Sequence, residues 1–479
     1  MSPSLQQKTA SSLKWNTIDR LASQLIYAVV GIILANLLGR EDYGLIGALT
    51  VFQAFAILFA DSGFGAALLR KKEVTQDDYS TVFWFNLIVA TAVYAVLWFC
   101  APLIARLFHN QALIPLSKVM FLTFVANALS IVQVNRLMRN MDVRPVAIAN
   151  LIALIVSGGL GIYMAFSGFG VWALVVQALS MAVVKTLWLW LSVRWTPSLV
   201  FSRKSLESIS RIGFSVFTSS ALNTLFLHIY SLVIGALDSL GALGLYTQAD
   251  RWSKMGISSI SQILTSTFVP MMARFQDEAE RFREHVCRID RLTSFIVIPI
   301  LGFLALCGTP LFHTLFGTKW DDAIIPFQIL CVRGIFVVMV SLYCNYLLAK
   351  GFGKQLIITE AIKDGMIGVA LCCTVYSRSL DILVWGQAVA SFLTFIVILI
   401  LTSRKIGLSA LIMIRNIIPF GASALVGAAV AYPFLHIIPI APLSMIVTAV
   451  VAIAAYLVVL QLLRAPELKE VIRLVRKSR

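Results

Sequence analysis

Fourteen apolar stretches, joined by short polar loops, account for nearly all of this 479-residue chain. Each stretch is about as long as the roughly 20 residues that a helix needs to cross the hydrocarbon core of a bilayer. Membrane β-barrels instead show alternating polar and apolar positions over about 10 residues. We therefore predict an all-α integral membrane protein with about fourteen transmembrane helices, placed at 13–37, 45–69, 81–105, 113–136, 145–166, 170–192, 212–236, 242–272, 292–312, 323–349, 355–376, 381–402, 414–433 and 441–463.

The composition excludes most other classes of protein. The chain is 59% hydrophobic and 13% charged, against about 25% charged residues in soluble domains. It has no ATP-binding P-loop, no zinc-type cysteine spacing and no nucleophile elbow, so we predict no enzyme activity and no cofactor. The first residues lack a cleavable signal peptide, and we expect the first span to act as an uncleaved anchor.

The basic residues predict the orientation of the chain. With fourteen spans both termini share one side, and that side holds 28 Lys and Arg against four on the other, namely Arg40, Arg106, Lys319 and Arg378. Positive loops remain cytoplasmic, so both termini are expected in the cytoplasm. The net charge of +16 then reflects topology and contact with anionic membrane lipids, and no nucleic acid is expected as a partner.

Two turns suggest an internal repeat. LGREDYGLIGALTVFQ at 38–53 and LDSLGALGLYTQADRW at 237–252 each join two long spans. A chance likeness between tight turns is the alternative. Six spans precede the cytoplasmic stretch at 193–211 that separates the two copies, which predicts parallel lobes related by an axis along the membrane normal. The expected domains are 1–192 (helices 1–6), a cytoplasmic linker at 193–211, 212–402 (helices 7–12), 403–463 (helices 13–14) and a basic amphipathic cytoplasmic tail at 464–479.

Charged residues inside the spans are the main functional signal. A charge at mid-bilayer costs at least about 2.5–3.5 kcal/mol, so such residues usually face a cavity or a partner. The candidates are the basic residues Arg20, Lys118, Lys185, Arg251, Lys254, Arg333 and Lys363, and the acids Asp19, Asp61, Asp250, Glu360 and Asp364. We expect Glu360, Lys363 and Asp364 to neutralise one another, and Lys118 and Lys185 to be structural.

The remaining charged residues are cavity candidates. Asp250 and Lys254 lie at i and i+4 and can pair, which makes Arg251 the better candidate to meet a ligand. Asp19 and Arg20 are neighbours and cannot face the same way. A polar strip on span 7 comprises Ser219, Ser220, Asn223, Thr224 and His228. His228 is expected to be a packed polar residue rather than a proton carrier.

Several segments carry a family resemblance. The chain resembles polysaccharide flippases of the multidrug/oligosaccharidyl-lipid/polysaccharide exporter superfamily, in the branch for O-antigen, colanic or teichuronic acid precursors. The matching segments are SLKWNTIDRLASQLI, LGREDYGLIGAL, DSGFGAALLRKKEVTQDDYSTVFW, LGLYTQADRWSKM and STFVPMMARFQDE.

The resemblance implies two six-helix lobes around a central cavity lined by spans 1, 2, 7 and 8. Its implied substrate is an undecaprenyl-pyrophosphate-linked oligosaccharide, moved from the cytoplasmic to the outer leaflet by alternating access. Because arginine guanidinium groups and lysine ammonium groups bind phosphate oxygens, the substrate-binding candidates are Arg20, Arg251, Lys254 and Arg333, with sugars on the span 7 strip.

The resemblance also implies coupling to a proton or sodium gradient or to membrane potential, with Asp61 and Asp250 as candidate coupling acids. Other polysaccharide-assembly proteins are possible partners by the same analogy. Three alternatives remain open: a lipid II flippase, a cation-coupled multidrug exporter and, less favoured, a membrane glycan polymerase or ligase. A drug exporter would favour an acidic cavity, whereas basic residues outnumber acids in these spans.

Overall fold

The computed structural model describes residues 5–61, 68, 74–193, 195–202, 220–221, 223–377 and 379–468. Within these ranges the secondary structure is helical, with no β-strand. Ten of the described helices are long and apolar enough to cross a membrane. The described parts of the other four predicted spans lie on helices that begin at Arg40, Asn223, Leu240 and Gly353. The prediction of an all-α, multi-pass membrane protein is confirmed.

The chain divides into two compact units, Met1–Gly244 and Leu245–Arg479. The first unit contains eight described helices and the start of a ninth. They are α1 (Leu5–Leu37), α2 (Arg40–Asp61), α3 (Gln76–Leu107), α4 (Leu113–Met120), α5 (Leu122–Arg139), α6 (Arg144–Phe166), α7 (Trp172–Ser192), α8 (Asn223–Leu237) and α9 (Leu240–Ala273). Helix α6 packs on both α1 and α7, and α5 packs on α3 and α7.

The second unit contains the rest of α9 and eight further α-helices. They are α10 (Ala279–Leu306), α11 (Gly308–Phe316), α12 (Ile324–Ala349), α13 (Gly353–Thr374), α14 (Leu380–Ile406), α15 (Ala410–Ala431), α16 (Phe434–Ile437) and α17 (Ala441–Leu462). Helix α10 packs on α12 and α15, α14 packs on α12 and α13, and α17 packs on α15. A large hydrophobic core joins α10, α12 and α14 through Phe282, Val286, Leu342 and Ile398.

Helix α3 begins with a capping box and holds the chain that follows α7. Thr75 accepts a hydrogen bond from the Asp78 backbone N–H, and the Asp78 carboxylate accepts one from the Thr75 N–H. The Trp84 indole N–H donates to the Ser198 carbonyl oxygen over 2.9 Å, and the Trp195 indole N–H donates to Gln76 over 2.7 Å. These hydrogen bonds fix the path of the described polar segment that follows α7.

The first turns of α2 and α9 cross with no room for side chains. A Cβ on Gly44 would lie 1.8 Å from the carbonyl oxygen of Leu240, and a Cβ on Gly244 would lie 1.8 Å from that of Arg40. Both contacts lie within the first unit. Each glycine therefore faces the backbone of the opposite helix, at the residue about one turn before that helix's own glycine. The two contacts are thus reciprocal.

One helix boundary differs from the prediction. Span 9 is predicted to begin at residue 292, but α10 begins at Ala279, and its first turns form a helix with one buried face. Before α12, the Asp321 carboxylate lies 2.9 Å from His313 Nε2 within a 3-10 turn, and the N-cap residue Ala323 provides no side-chain cap. The tail beyond Leu468 lies outside the described residues.

Candidate functional site

One polar cluster of the first unit gathers around Asp19 on α1. Its carboxylate accepts hydrogen bonds from Ser23 over 3.1 Å and from the Asn150 amide on α6 over 3.0 Å. The ammonium of Lys185 on α7 lies within electrostatic range of the same carboxylate. The Asp19 carboxylate, the Asn150 amide and the Lys185 amine, from three helices, therefore lie close together in the first unit. Lys185 was expected to be structural, and this partner supplies the reason.

The two cavity candidates on the first spans differ in position. Arg20 is exposed on α1, on a different side of the helix from the half-buried Asp19. This separation is what neighbouring helical positions predict, since successive side chains point in different directions around the helix. Asp61 is the last residue of α2, and its side chain lies outside the described part of the chain.

The polar strip is described only in part. Ser219 lies outside the described residues, whereas Ser220 and Thr224 are half-buried and Asn223 is exposed. His228, one turn further along α8, is half-buried and makes a contact of its own. The place of this strip in a substrate cavity stays a prediction.

The basic cluster on α9 contains the predicted ion pair. Lys254 Nζ lies 2.6 Å from Asp250 Oδ2, and the side chains are 39% and 15% exposed. The other carboxylate oxygen of Asp250 is buried and accepts no hydrogen bond from the described residues. Arg251 is half-buried and also has an interaction within the structure. Lys254 is thus partly neutralised, as expected, and Arg251 is the residue that follows the paired Asp250 in the sequence.

Arg333 belongs to a second polar group, between α12 and α14. Its guanidinium Nε donates to the Ser391 hydroxyl over 3.1 Å, and that hydroxyl donates to the Gln387 carbonyl oxygen over 2.9 Å. The Gln387 amide meets the hydroxyl of Tyr246 on α9 at 3.4 Å. Arg333 is therefore held through one nitrogen in the described structure, and its predicted role in binding a substrate stays a prediction.

Two lysines that were expected to be structural have partners within the structure. Lys363 forms an ion pair with Glu360 one turn earlier on α13. Lys118 lies over the ring of Trp98, with 4.4 Å between its ammonium and the ring centroid. A cation–π contact of this kind stabilises an ammonium that has little water around it. Neither lysine needs a ligand to explain its presence in a span.

The turn between α8 and α9 carries polar groups beside the glycine crossing. Burial raises the pKa of the Asp238 carboxyl, and a hydrogen bond with Ser239 lowers it in part. The Ser239 hydroxyl also accepts from the Ala242 N–H, and the Asp42 carboxylate of the other turn accepts from the Gly39 N–H. Each helix start therefore has a different half of a capping box: the N-cap side chain accepts at α9, and a first-turn side chain accepts at α2.

A buried acid of the second unit was missed by the sequence reasoning. Asp290 on α10 is fully buried, and its Oδ1 lies 2.9 Å from the Tyr346 hydroxyl on α12. Its Oδ2 has no hydrogen-bond partner in the described part of the chain. The signal in the sequence is its spacing, since Phe282, Val286, Asp290, Thr293 and Val297 fall on one helix face. Asp290 lies just before the predicted start of span 9 and therefore outside the set of candidate residues.

Comparisons with known proteins agree with this architecture. A profile of the family described as polysaccharide biosynthesis protein matches residues 33–325. The teichuronic acid biosynthesis protein TuaB of Bacillus subtilis is 23% identical over 400 residues, which cover 82% of each chain. The lipopolysaccharide biosynthesis protein WzxC of Escherichia coli is 25% identical over 338 residues, covering 69% of this chain and 68% of that protein.

Solved structures support the fold independently of close sequence likeness. The lipid II flippase MurJ, in an inward closed conformation, superposes with a TM-score of 0.78 at 12% identity, covering 94% of this chain and 99% of that one. An inward-facing multidrug transporter of the MATE family gives a TM-score of 0.62 at 17% identity, covering 83% and 98%. The fold is that of these membrane transporters, and the chain belongs to the family of polysaccharide biosynthesis proteins.

Proposed function

We propose that this protein moves an undecaprenyl-pyrophosphate-linked oligosaccharide from the cytoplasmic to the outer leaflet of the bacterial inner membrane, by alternating access, during surface polysaccharide assembly. The observation that carries the proposal is the family match over more than half of the chain. The relatives named for teichuronic acid and lipopolysaccharide biosynthesis point in the same direction. A charged headgroup cannot cross about 30 Å of hydrocarbon unaided, so such a lipid needs a protein path.

The cations on the first spans of each predicted lobe support an anionic headgroup. Arg20 is exposed on α1, and Arg251 and Lys254 lie a few turns into α9. Arginine stays charged in a span and offers paired N–H donors to phosphate oxygens. In this proposal Arg20 and Arg251 bind the pyrophosphate, Lys254 and Arg333 assist, and Ser219, Ser220, Asn223 and Thr224 bind sugar hydroxyls. Movement is coupled to a proton, a sodium ion or the membrane potential, with Asp61 and Asp250 as candidate acids.

The predicted repeat supports alternating access. The reciprocal contacts of Gly44 and Gly244 relate the same two helix starts that resemble each other in sequence, which is what two similar lobes would produce. In the proposal, lobes of six spans begin at the cytoplasmic face, helices 13–14 follow, and both termini remain cytoplasmic.

The proposal is tested by removing the two arginines one at a time. In the native host without its chromosomal copy, Arg20→Ala and Arg251→Ala should each lower surface polysaccharide at least tenfold. Lipid-linked repeat units should accumulate in the cytoplasmic leaflet, while the amount of inserted protein stays the same. Arg404→Ala, which removes an exposed arginine at the end of α14, is the matched control and should export normally.

Two outcomes would overturn parts of this proposal. Normal export by both variants would exclude the cationic cavity. Normal surface polysaccharide in cells that lack the protein altogether would exclude the function itself.

A further inference from the structure

Among the described residues of the second unit, one buried carboxyl group has no cation paired with it. Asp290 is 0% exposed, and its contacts with the described residues include no ion pair. A charged carboxylate in such surroundings costs several kcal/mol unless it is paired or well hydrogen-bonded. One hydroxyl donor for two oxygens is too little compensation. The surroundings therefore favour the neutral acid.

In the described part of the chain, the charged and titratable groups near Asp290 are Arg291, Cys287, Tyr343 and Tyr346. On α10, Arg291 is the next residue, but its guanidinium forms a two-point ion pair with Glu467, which follows α17. Cys287 lies about one turn earlier, within electrostatic range of Asp290. From α12, Tyr343 and Tyr346 face the site and, from α15, Asn416 lies beside Cys287. The neighbouring cation is therefore committed to another acid.

Tyr346 can serve both protonation states of Asp290. Its hydroxyl carries one hydrogen and has two acceptors, the Asp290 Oδ1 at 2.9 Å and the Val286 carbonyl oxygen at 3.5 Å. When Asp290 is charged, the hydroxyl donates to Oδ1. When Asp290 is neutral, the hydroxyl can turn to Val286 and its oxygen can accept the carboxyl hydrogen. One rotation of an O–H bond therefore accommodates the gain or loss of a proton.

A second unpaired group lies in the same cluster. The Tyr343 hydroxyl is buried and has no hydrogen-bond partner among the described residues, and its ring centroid is 6.0 Å from that of Tyr346. Thr293, on the same face of α10 as Asp290, also has a buried hydroxyl for which the described chain supplies no partner. Native structures rarely leave several buried polar groups unpaired, so this cluster needs bound water, an ion or a role in proton binding to explain it.

We propose that Asp290 and Tyr346 form a proton-binding site, protonated in this conformation and deprotonated in another conformation of the transport cycle. The proton comes from water and returns to water, and no other bond is made or broken. The use of this site to drive substrate movement rests on the proposed function, whereas its protonation does not. A site of this kind would add a coupling group on α10 to the candidates Asp61 and Asp250.

The test is infrared spectroscopy of the purified full-length protein in liposomes, titrated with acid and base. Wild type should show a protonated carboxyl band at neutral pH that disappears as the pH is raised. Asp290→Asn should lack that band, and Thr293→Val, the matched loss of a buried hydroxyl, should keep it unchanged. In Tyr346→Phe the band should persist to a pH about one unit higher than in wild type. The reason is that a charged carboxylate loses more from a missing hydrogen-bond donor than the neutral acid does.

The outcomes separate the site from its use. A band that is unchanged in Asp290→Asn, or absent from wild type, or insensitive to pH, would overturn the proton site. If Asp290→Asn fails to fold, Tyr346→Phe still decides, because an unmoved band in that variant would also overturn it. If the site titrates as expected but cells lacking the protein still assemble surface polysaccharide, the proposed function fails and the proton site stands.

Discussion

At the scale of single residues, the structure explains charges that the sequence only locates. Lys118 contacts Trp98 on the preceding helix. Arg291 pairs with Glu467, which lies 176 residues further along the chain. Neither contact follows from helical spacing. The Asp250–Lys254 and Glu360–Lys363 pairs do follow from it, and both are present. Local pairs were predictable from the sequence, whereas long-range pairs needed the packing of the helices.

The ion pair between Arg291 and Glu467 should stabilise the second unit. The side chains are 31% and 6% exposed, so removing either partner leaves a partly buried charge. We expect Arg291→Ala or Glu467→Ala to cost about 2–4 kcal/mol, less than the ~3–5 kcal/mol of a fully buried pair. The measurement is the midpoint of thermal unfolding in detergent, which should fall by several degrees.

A double variant distinguishes a buried pair from a surface pair. Replacing both residues, as Arg291→Met with Glu467→Leu, removes the charges together and should cost less than either single change. Arg404→Ala, on an exposed side chain, should leave the midpoint unchanged. A loss in the double variant equal to the sum of the two single losses would show that the two residues do not interact.

At the scale of helices, hydropathy predicted the spans well and the ends of the helices less well. Helix α10 begins at Ala279, well before the predicted span, and its first turns carry arginines on exposed or partly exposed faces: Arg281, Arg283, Arg288 and Arg291. A hydropathy average hides a helix of this kind, although Phe282, Val286 and Ile289 form a buried face. That averaging is also why Asp290 was missed.

The crossing of α2 and α9 should depend on glycine at both positions. Since a Cβ at Gly44 or Gly244 would lie 1.8 Å from a backbone oxygen, Gly44→Ala and Gly244→Ala should force the helix starts apart. Overpacking of a close contact costs about 1–3 kcal/mol or more, and the unfolding midpoint should fall in both variants. Gly159 on α6 has no described neighbour within 4 Å of its Cβ position, so Gly159→Ala is the control and should be neutral or slightly stabilising.

The two glycine variants also test the predicted repeat. If the two contacts are equivalent, Gly44→Ala and Gly244→Ala should lower the midpoint by similar amounts. A large effect at one position with none at the other would contradict the equivalence of the two helix starts.

At the scale of the whole molecule, the distribution of basic residues between the loops predicts the orientation of the chain in the membrane. The packing of the helices does not determine that orientation. The 28-to-4 ratio of basic residues predicts that both termini and the 193–211 segment lie in the cytoplasm. The turn at 317–323, between α11 and α12, is then extracytoplasmic. Reporter fusions can test each loop, because alkaline phosphatase is active only outside the cytoplasm and green fluorescent protein exported in unfolded form stays dark.

A fusion after Thr318 should have phosphatase activity and no fluorescence, and a fusion after Leu408, between α14 and α15, should show the reverse. The matched pair at Gly168, between α6 and α7, and Asp142, between α5 and α6, tests the first unit in the same way and should give phosphatase activity at Gly168 only. One span more or fewer would invert every loop after it. An inverted result at Thr318 with the expected result at Gly168 would therefore place the error between these two loops, while inversion at all four would reverse the molecule and contradict the proposed direction of transport.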